Sequence, residues 1–203
     1  IGMSALALYF EKGGFRVGGY DRSESRITIS LMESGCDITY KDDVDSMAAL
    51  FRNPLGKDKV MVVFTPAIPA ENRILSFFRT EGYRIYKRSE ILGEISSNTE
   101  TLAVSGTHGK TTVSTMIAHL LKQSHVDCSA FLGGISKNYD SNLILGDSRY
   151  TVIEADEFDR SFHRLTPSMA VVTSLDADHL DIYGDQKTMI EAYNVFCGKI
   201  KKG

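Results

Sequence analysis

Residues 105–112, with the sequence SGTHGKTT, are the feature that most constrains how this chain can fold. They stand between an apolar stretch typical of a strand, residues 102–104, and an amphipathic stretch typical of a helix, residues 110–123. A glycine-containing turn between a strand and a helix is the setting of a phosphate-binding loop. Glycines let backbone N–H groups turn inward, and the helix N-terminus adds partial positive charge. The segment therefore predicts an α/β fold with an anion site at the start of the helix.

The loop follows a shortened version of the P-loop pattern. The strict pattern requires glycine five residues before Gly109, where this chain has Val104, and Gly106 instead gives Gly-x-x-Gly-Lys-Thr. Lys110 is expected to reach the β- and γ-phosphates of a nucleotide, and the Thr111 hydroxyl is expected to hold Mg²⁺. The alternative is a Gly-Thr turn that only caps a helix. The expected nucleotide-binding residues are Gly106, Thr107, His108, Gly109, Lys110, Thr111 and Thr112.

Strand and helix signals alternate along the chain, which predicts parallel sheets with helices on both faces. After an opening helix, strands are expected at residues 15–17, 37–40, 60–64, 84–86, 102–104, 129–132, 150–153 and 169–173. Further helices are expected at residues 71–80, 88–99, 110–123 and 186–196. The segment 88–99 ends in a polar link, so we expect two domains, residues 1–95 and residues 96–203.

Two of these elements carry definite expectations about burial. The continuous apolar run at residues 60–64 is typical of a parallel strand buried on both faces. On the helix 110–123 the apolar side chains recur at helical spacing, which predicts one stripe made of Val113, Met116, Ile117, Leu120 and Leu121. His119 lies opposite that stripe, so His119 and His125 are expected to face solvent.

Composition excludes several classes of protein. The 203 residues suffice for one large or two small domains, and the net charge of −3 provides no basic field for nucleic acid. No apolar run is long enough for a membrane-spanning helix, and no secretory leader opens the chain. The cysteines (Cys36, Cys128 and Cys197) are widely spaced and odd in number, which favours a reducing cytoplasm over a disulfide framework or zinc site.

Because Ile1 runs at once into a helix and Gly203 follows another, we expect a piece of a longer protein.

Acidic residues follow two of the expected strands. Glu154 comes directly after residues 150–153, at the carboxyl edge where open α/β sheets bind ligands, and residues 154–159 hold four carboxylates. An acidic loop alone is usually only solvated, but beside a phosphate loop it favours Mg²⁺, which prefers carboxylate oxygens. After residues 169–173, His179 could ligate a second metal or position phosphate. Its alternative is a helix-capping or surface histidine.

Taken in order, three of these segments resemble the signature of the Mur ligases. They are GTHGKTT at residues 106–112, EADE at residues 154–157 and DHLDIYG at residues 178–184. Two further segments, IGMS at residues 1–4 and TPAIP at residues 65–69, are similar to the alanine-adding branch of that family. SNLILG at residues 141–146 resembles another segment of the family. The resemblance covers essentially the whole chain.

The resemblance implies an enzyme with a Rossmann-like UDP-binding domain, a central P-loop ATPase with a mostly parallel sheet, and a C-terminal amino-acid-binding domain. Residues 1–95 would be the first domain without its first strand, residues 96–203 the front of the second, and the third would be absent. The implied reaction joins L-alanine to UDP-N-acetylmuramate through an acyl phosphate in peptidoglycan precursor synthesis, with ATP and Mg²⁺. The segment alone would be inactive. No nucleic acid, membrane insertion or obligate protein partner is implied.

The resemblance also assigns roles to residues. Lys110, His179 and Glu154 would be catalytic, and Thr111, Glu154 and His179 would be metal ligands; His108 would contact the muramate or the phosphate. Asp21 suits a carboxylate that contacts ribose or uridine, with a turn aspartate as the alternative. The expected substrate-binding residues are Gly2, Ser4, Asp21, Thr65, Pro66, Ala67 and Asn142.

Other functions stay open at this point. One is a muropeptide-recycling ligase that joins a tripeptide to the same nucleotide sugar. Folylpolyglutamate synthase is more distant, since it lacks the UDP-binding domain. A P-loop ATPase or kinase with an unrelated N-terminal module is a third possibility, and a nucleotide-binding segment without ligase activity is a fourth.

Overall fold

A computed structural model describes residues 2–52, 56–176 and 183–202 of the chain. Helices and strands alternate, so the chain has the expected α/β fold with a mostly parallel sheet. It divides into two compact units, Met3–Arg88 and Ser89–Gly203. Apart from its first residue, the helix Arg88–Ser97 therefore groups with the second unit, whereas the sequence placed the boundary near residue 95.

The first unit contains two separate pairs of parallel strands. Strand β1 (Gly18–Tyr20) pairs with β2 (Asp37–Thr39), and β3 (Met61–Phe64) pairs with β4 (Arg84–Lys87). The helices are α1 (Gly2–Lys12), α2 (Arg26–Glu33), α3 (Ala49–Arg52) and α4 (Arg73–Thr80), with short 3₁₀ turns at Val44–Ser46 and Lys57–Lys59. A core of Ile74, Phe78 and Tyr83 holds α4 against Val60, Val62 and Ile85.

Two expectations for this unit were wrong. The strand expected at residues 15–17 begins instead at Gly18, because Phe15 lies in the turn that ends α1, where its N–H donates to the carbonyl of Phe10 at 3.0 Å. The side chain of Phe15 is 63% exposed. Strand β3 is not buried on both faces either, since Met61 is 42% exposed and its neighbours are only half-buried.

The second unit is built on one five-stranded sheet in the order β7-β6-β8-β5-β9. Its strands are β5 (Glu100–Ser105), β6 (Ser129–Ser136), β7 (Ser141–Ile144), β8 (Tyr150–Glu154) and β9 (Met169–Val172). All pairs are parallel except the hairpin of β6 and β7, which the sequence did not predict. The helices are α5 (Arg88–Ser97), α6 (Lys110–Gln123) and α7 (Gln186–Cys197), with a 3₁₀ segment at Phe158–Arg164.

Helix α6 has the expected bounds, but only part of the expected stripe, Ile117 and Leu121, packs against the core. Ser114 and Ala118 are fully buried toward the sheet, whereas Met116 is 59% and Leu120 66% exposed. Small side chains let the helix lie close to the strands, and a core of Ala118, Cys128, Ala130, Leu132, Ile144 and Val152 results. His119 is half-buried with its Nδ1 3.1 Å from the Tyr139 hydroxyl, so the expectation that it faces solvent was wrong.

The sheet brings three strand ends together. Strand β5 lies between β8 and β9, and all three run parallel, with Val104 opposite Glu154 and Ser105 opposite Val172. The loop after β5, the acidic segment after β8 and the turn after β9 therefore emerge at one edge. Among the residues described, no helix is long and apolar enough to cross a membrane.

Candidate phosphate and metal site

The loop between β5 and α6 depends on two glycines with left-handed backbone conformations. Gly106 has φ 132° and Gly109 has φ 83°, and α6 begins at the next residue. A Cβ at Gly106 would overlap the Thr173 hydroxyl and lie 2.9 Å from the backbone N of Ser174. Gly106 is therefore required both by its conformation and by the close approach of the segment after β9.

Polar contacts fasten this loop to the turn after β9. The hydroxyls of Thr107 and Ser174 are 2.8 Å apart, and the His108 N–H donates to the Ser174 hydroxyl at 3.0 Å. The Asp176 N–H donates to the Thr107 hydroxyl at 3.1 Å, and Thr173 donates to loop carbonyls. Thr107 is buried, so its side chain holds the loop in place.

Lys110, the first residue of α6, forms an ion pair with Glu157. Its Nζ lies 2.8 Å from Glu157 Oε1 and donates to the carbonyl of Gly106 at 2.7 Å. The Tyr183 hydroxyl donates to the Glu157 carbonyl at 2.6 Å, and burial raises the pKa of Tyr183 to about 12. The lysine thus lies folded back against its own loop, with its charge balanced by a buried carboxylate.

Thr111 and Glu154 meet at the carboxyl edge of the sheet, as the sequence predicted. The Thr111 hydroxyl donates to Glu154 Oε1 at 3.0 Å, and the Gly133 N–H donates to Glu154 Oε2 at 2.8 Å. Among the residues that the structure describes, no group of three or more His, Cys, Asp or Glu side chains forms a metal cage. One hydroxyl and one carboxylate beside a phosphate loop fit Mg²⁺, which takes few protein ligands and completes its shell with phosphate and water.

The side chains of the remaining expected loop residues, His108 and Thr112, are exposed. His108 is 70% exposed at the side chain, with Nε2 4.0 Å from an oxygen of Asp176. Thr112 is exposed on the first turn of α6. His179 lies outside the described residues, and its assignment as a catalytic group and metal ligand stays a prediction.

The expected substrate-binding residues of the first unit lie mostly at strand ends. Asp21 is exposed directly after β1, and its carboxylate accepts the Ser23 N–H at 3.3 Å, the geometry of a turn aspartate. Thr65, Pro66 and Ala67 form the turn after β3, where Ile68 N–H donates to the Thr65 carbonyl at 3.1 Å. These side chains are half-buried or exposed.

The other three expected substrate-binding residues sit inside regular elements. Gly2 begins α1, and Ser4, two residues later, is buried. In the second unit Asn142 is 2% exposed within β7. Their roles in binding stay predictions.

Sequence reasoning missed four residues that shape this site: Gly133, Glu157, Thr173 and Ser174. Glu157 was visible only as one of several carboxylates after β8, with nothing to single it out as the partner of Lys110. Thr173 and Ser174 directly follow β9, and that position beside the loop was the available signal. Gly133 carried no local signal, because its contact with Glu154 depends on the pairing of β6 with β8.

Sequence profiles of known families match both units. Residues 1–100 match the profile described as Mur ligase family, catalytic domain, and residues 104–203 match the Mur ligase middle domain. Two similar proteins are named UDP-N-acetylmuramate–L-alanine ligase: one from Parabacteroides distasonis, 54% identical, and one from Porphyromonas gingivalis, 52% identical. Each aligns with all of this chain, which spans 45% and 44% of their respective lengths.

Solved structures show the same fold. The UDP-N-acetylmuramate–alanine ligase of Thermotoga maritima is similar with a TM-score of 0.86 at 28% identity, over 98% of this chain and 45% of that one. A ligase of UDP-N-acetylmuramate and L-alanyl-γ-D-glutamyl-meso-diaminopimelate from Neisseria meningitides has a TM-score of 0.85 at 24% identity, over 99% of this chain and 65% of that one. The profiles, the relatives and the loop geometry agree: the chain belongs to the Mur ligase family.

Proposed function

We propose that this chain supplies the nucleotide-activating part of an enzyme that joins L-alanine to UDP-N-acetylmuramate, using ATP and Mg²⁺. The observation that carries the proposal is the arrangement of Lys110, Thr111 and Glu154 around one phosphate loop at the carboxyl edge of the sheet. Relatives about half identical to this chain bear the name of that reaction, although the chain spans only 44–45% of their length.

Amide formation needs an activated carboxyl group, because a carboxylate is stabilised by resonance and its oxygen is a poor leaving group. In the proposed reaction a carboxylate oxygen of the muramate attacks the γ-phosphorus, the bond to the bridging oxygen breaks, and ADP leaves. The amine of L-alanine then attacks the carbonyl of the acyl phosphate, phosphate leaves, and the nitrogen loses a proton. Such transfers depend mainly on positioning and charge neutralisation.

Lys110 and the loop amides supply the charge neutralisation. The N–H groups at the start of α6, helped by the helix dipole, would face the phosphates. Lys110 is held 2.8 Å from Glu157, and we propose that its ammonium group turns toward the γ-phosphate when a nucleotide fills the loop. In the proposal, the contact with Glu157 holds the lysine beside the loop until the nucleotide binds.

Mg²⁺ would be held by Thr111 and Glu154, and when bound it would offset the negative charge of the phosphates. The Thr111 hydroxyl and the Glu154 carboxylate are already in contact, so neither needs a large movement to bind the same Mg²⁺ ion. His179 is proposed as a further metal or acyl-phosphate contact. The first unit is proposed to bind the UDP sugar through Asp21, Ser4 and the turn at Thr65.

A muropeptide ligase is the second candidate, because the Neisseria structure has a similar fold and its name includes the same nucleotide sugar. At 24% identity that likeness extends to the fold alone. The two candidates differ in the amine that they accept: a single amino acid or a peptide.

The test is phosphate release by the full-length protein with ATP, Mg²⁺ and UDP-N-acetylmuramate, with each amino acid or with the tripeptide added in turn. Release that depends on L-alanine is the expected result. Release that depends on the tripeptide would favour the second candidate. Release that needs no UDP sugar would contradict both candidates and favour an ATPase with an unrelated first domain.

A further inference from the structure

Gly133 lies in strand β6, against the carboxylate that we assign to Mg²⁺. Its N–H donates to Glu154 Oε2 at 2.8 Å, while the Thr111 hydroxyl donates to Oε1 of the same carboxylate at 3.0 Å. The Ser114 hydroxyl also donates to Oε2, at 3.5 Å, so one backbone N–H and two hydroxyls hold the carboxylate, and the Gly133 N–H is the shortest of these contacts. This arrangement fixes the rotation of the carboxylate and its distance from the loop.

Position 133 also has no room for a side chain. A Cβ built there would overlap Glu154 Oε1 and lie 2.6 Å from the carboxyl carbon and 2.8 Å from Oε2. All three atoms belong to the far end of a flexible side chain, so they can be displaced without moving backbone. The backbone of Gly133 is not left-handed, unlike that of Gly106 and Gly109, so alanine would not strain it.

We propose that Gly133 is a positioning residue: its missing side chain and its N–H together keep the Glu154 carboxylate beside Thr111, where both can reach one Mg²⁺. This inference rests on the proposed function, since it assigns Gly133 a role in the same metal site. It differs from a packing role, because a methyl group at residue 133 would displace a carboxylate and not the core.

The test measures binding of ADP to the full-length protein by calorimetry, with and without Mg²⁺. In Gly133→Ala we expect the Mg²⁺-dependent gain in ADP affinity to fall 10–100-fold, as for other residues that orient metal ligands, with the metal-free affinity unchanged. The control is Gly198→Ala, whose Cβ would meet nothing closer than 3.4 Å. Both variants should unfold at similar temperatures.

A double-mutant cycle with Glu154→Ala separates positioning from any other effect. If Gly133 acts through Glu154, Gly133→Ala should cause no further loss of Mg²⁺ dependence once the carboxylate is gone. The inference is overturned if Gly133→Ala keeps the wild-type Mg²⁺ dependence of ADP binding. It is also overturned if Gly133→Ala reduces that dependence by the same factor when Glu154 is already alanine.

A second measurement does not require the glycine variant to fold. The amide resonance of Gly133 in a ¹⁵N spectrum should shift on Glu154→Ala, whereas that of Gly198 should not. If the Gly133 amide resonance does not shift, the inference about Gly133 is overturned, whereas the proposed metal site is unaffected. If the wild-type protein bound ADP equally well with and without Mg²⁺, the proposed metal site itself would be contradicted, and the inference with it.

Discussion

Lys110 and Glu157 form an ion pair that is almost closed to solvent, with Nζ 2.8 Å from Oε1 and the Glu157 side chain 1% exposed. The side chain of Lys110 is 17% exposed and also donates to the Gly106 carbonyl at 2.7 Å. A lysine read from the sequence as a phosphate ligand is therefore also the cation beside a buried carboxylate. Its removal should affect stability as well as chemistry.

Lys110→Ala should abolish nucleotide turnover and lower the free energy of unfolding by about 3 kcal/mol, because breaking a buried ion pair leaves its other charge uncompensated. Thermal and denaturant unfolding measure the stability. Adding Glu157→Gln to the Lys110→Ala variant should restore much of the lost stability without restoring turnover. Wild-type activity in Lys110→Ala would show that the loop is not the phosphate site.

Glu154→Gln should weaken the binding of Mg²⁺ with ADP 10–100-fold, because a neutral amide replaces a charged ligand of nearly the same shape. Calorimetry with and without Mg²⁺ measures the effect. Glu191→Gln, at an exposed position of α7, removes the same charge elsewhere and should bind as the wild type does. Equal losses in both variants would indicate a general charge effect and remove Glu154 from the site.

Gly106→Ala should cost about 2–3 kcal/mol of stability and eliminate nucleotide binding, since the new methyl group meets Thr173 and the backbone of Ser174 in addition to straining a left-handed residue. Gly14→Ala is the matched control. Gly14 also has a positive φ, 84°, but a Cβ there meets nothing within 4 Å. If both variants lose the same stability and both still bind ADP, the close approach at Gly106 is irrelevant.

Asp127→Asn should destabilise the protein by about 1 kcal/mol near neutral pH, with a difference that disappears in acid. Lys122 Nζ lies 2.5 Å from Asp127 Oδ1, and this contact, followed by the Asp147 N–H, lowers the pKa of Asp127 below its ordinary value of 3.8. A lowered folded-state pKa stabilises the protein above about pH 4, and this contribution is lost as pH falls through the folded-state pKa. Urea unfolding of both proteins from pH 7 to pH 2 measures the difference between their free energies of unfolding. A difference that does not change with pH would contradict the ion pair.

Local sequence signals predicted most elements of the fold well. The bounds of helix α6 and the position of the loop before it were predicted correctly, because strand, glycines, lysine and apolar spacing all agree in that segment. The contact of Thr111 with Glu154 also followed from the sequence, since the carboxyl ends of neighbouring parallel strands share one edge.

What the sequence did not predict depends on tertiary packing. Met116 and Leu120 belong to an apolar stripe, yet the sheet accepts Ser114 and Ala118 instead because only small side chains fit so close to the strands. The contact of Gly133 with Glu154 links residues 21 positions apart through the register of the sheet, which no local pattern encodes.

The most direct test of the central claim follows an oxygen atom. The full-length protein is given UDP-N-acetylmuramate labelled with ¹⁸O in its carboxylate, together with ATP, Mg²⁺ and L-alanine, and the released phosphate is analysed by mass spectrometry. If the carboxylate attacks the γ-phosphorus at the Lys110 loop, each turnover should transfer one ¹⁸O from the muramate to phosphate. The Lys110→Ala variant should release no labelled phosphate. Unlabelled phosphate formed together with the amide would contradict activation through an acyl phosphate.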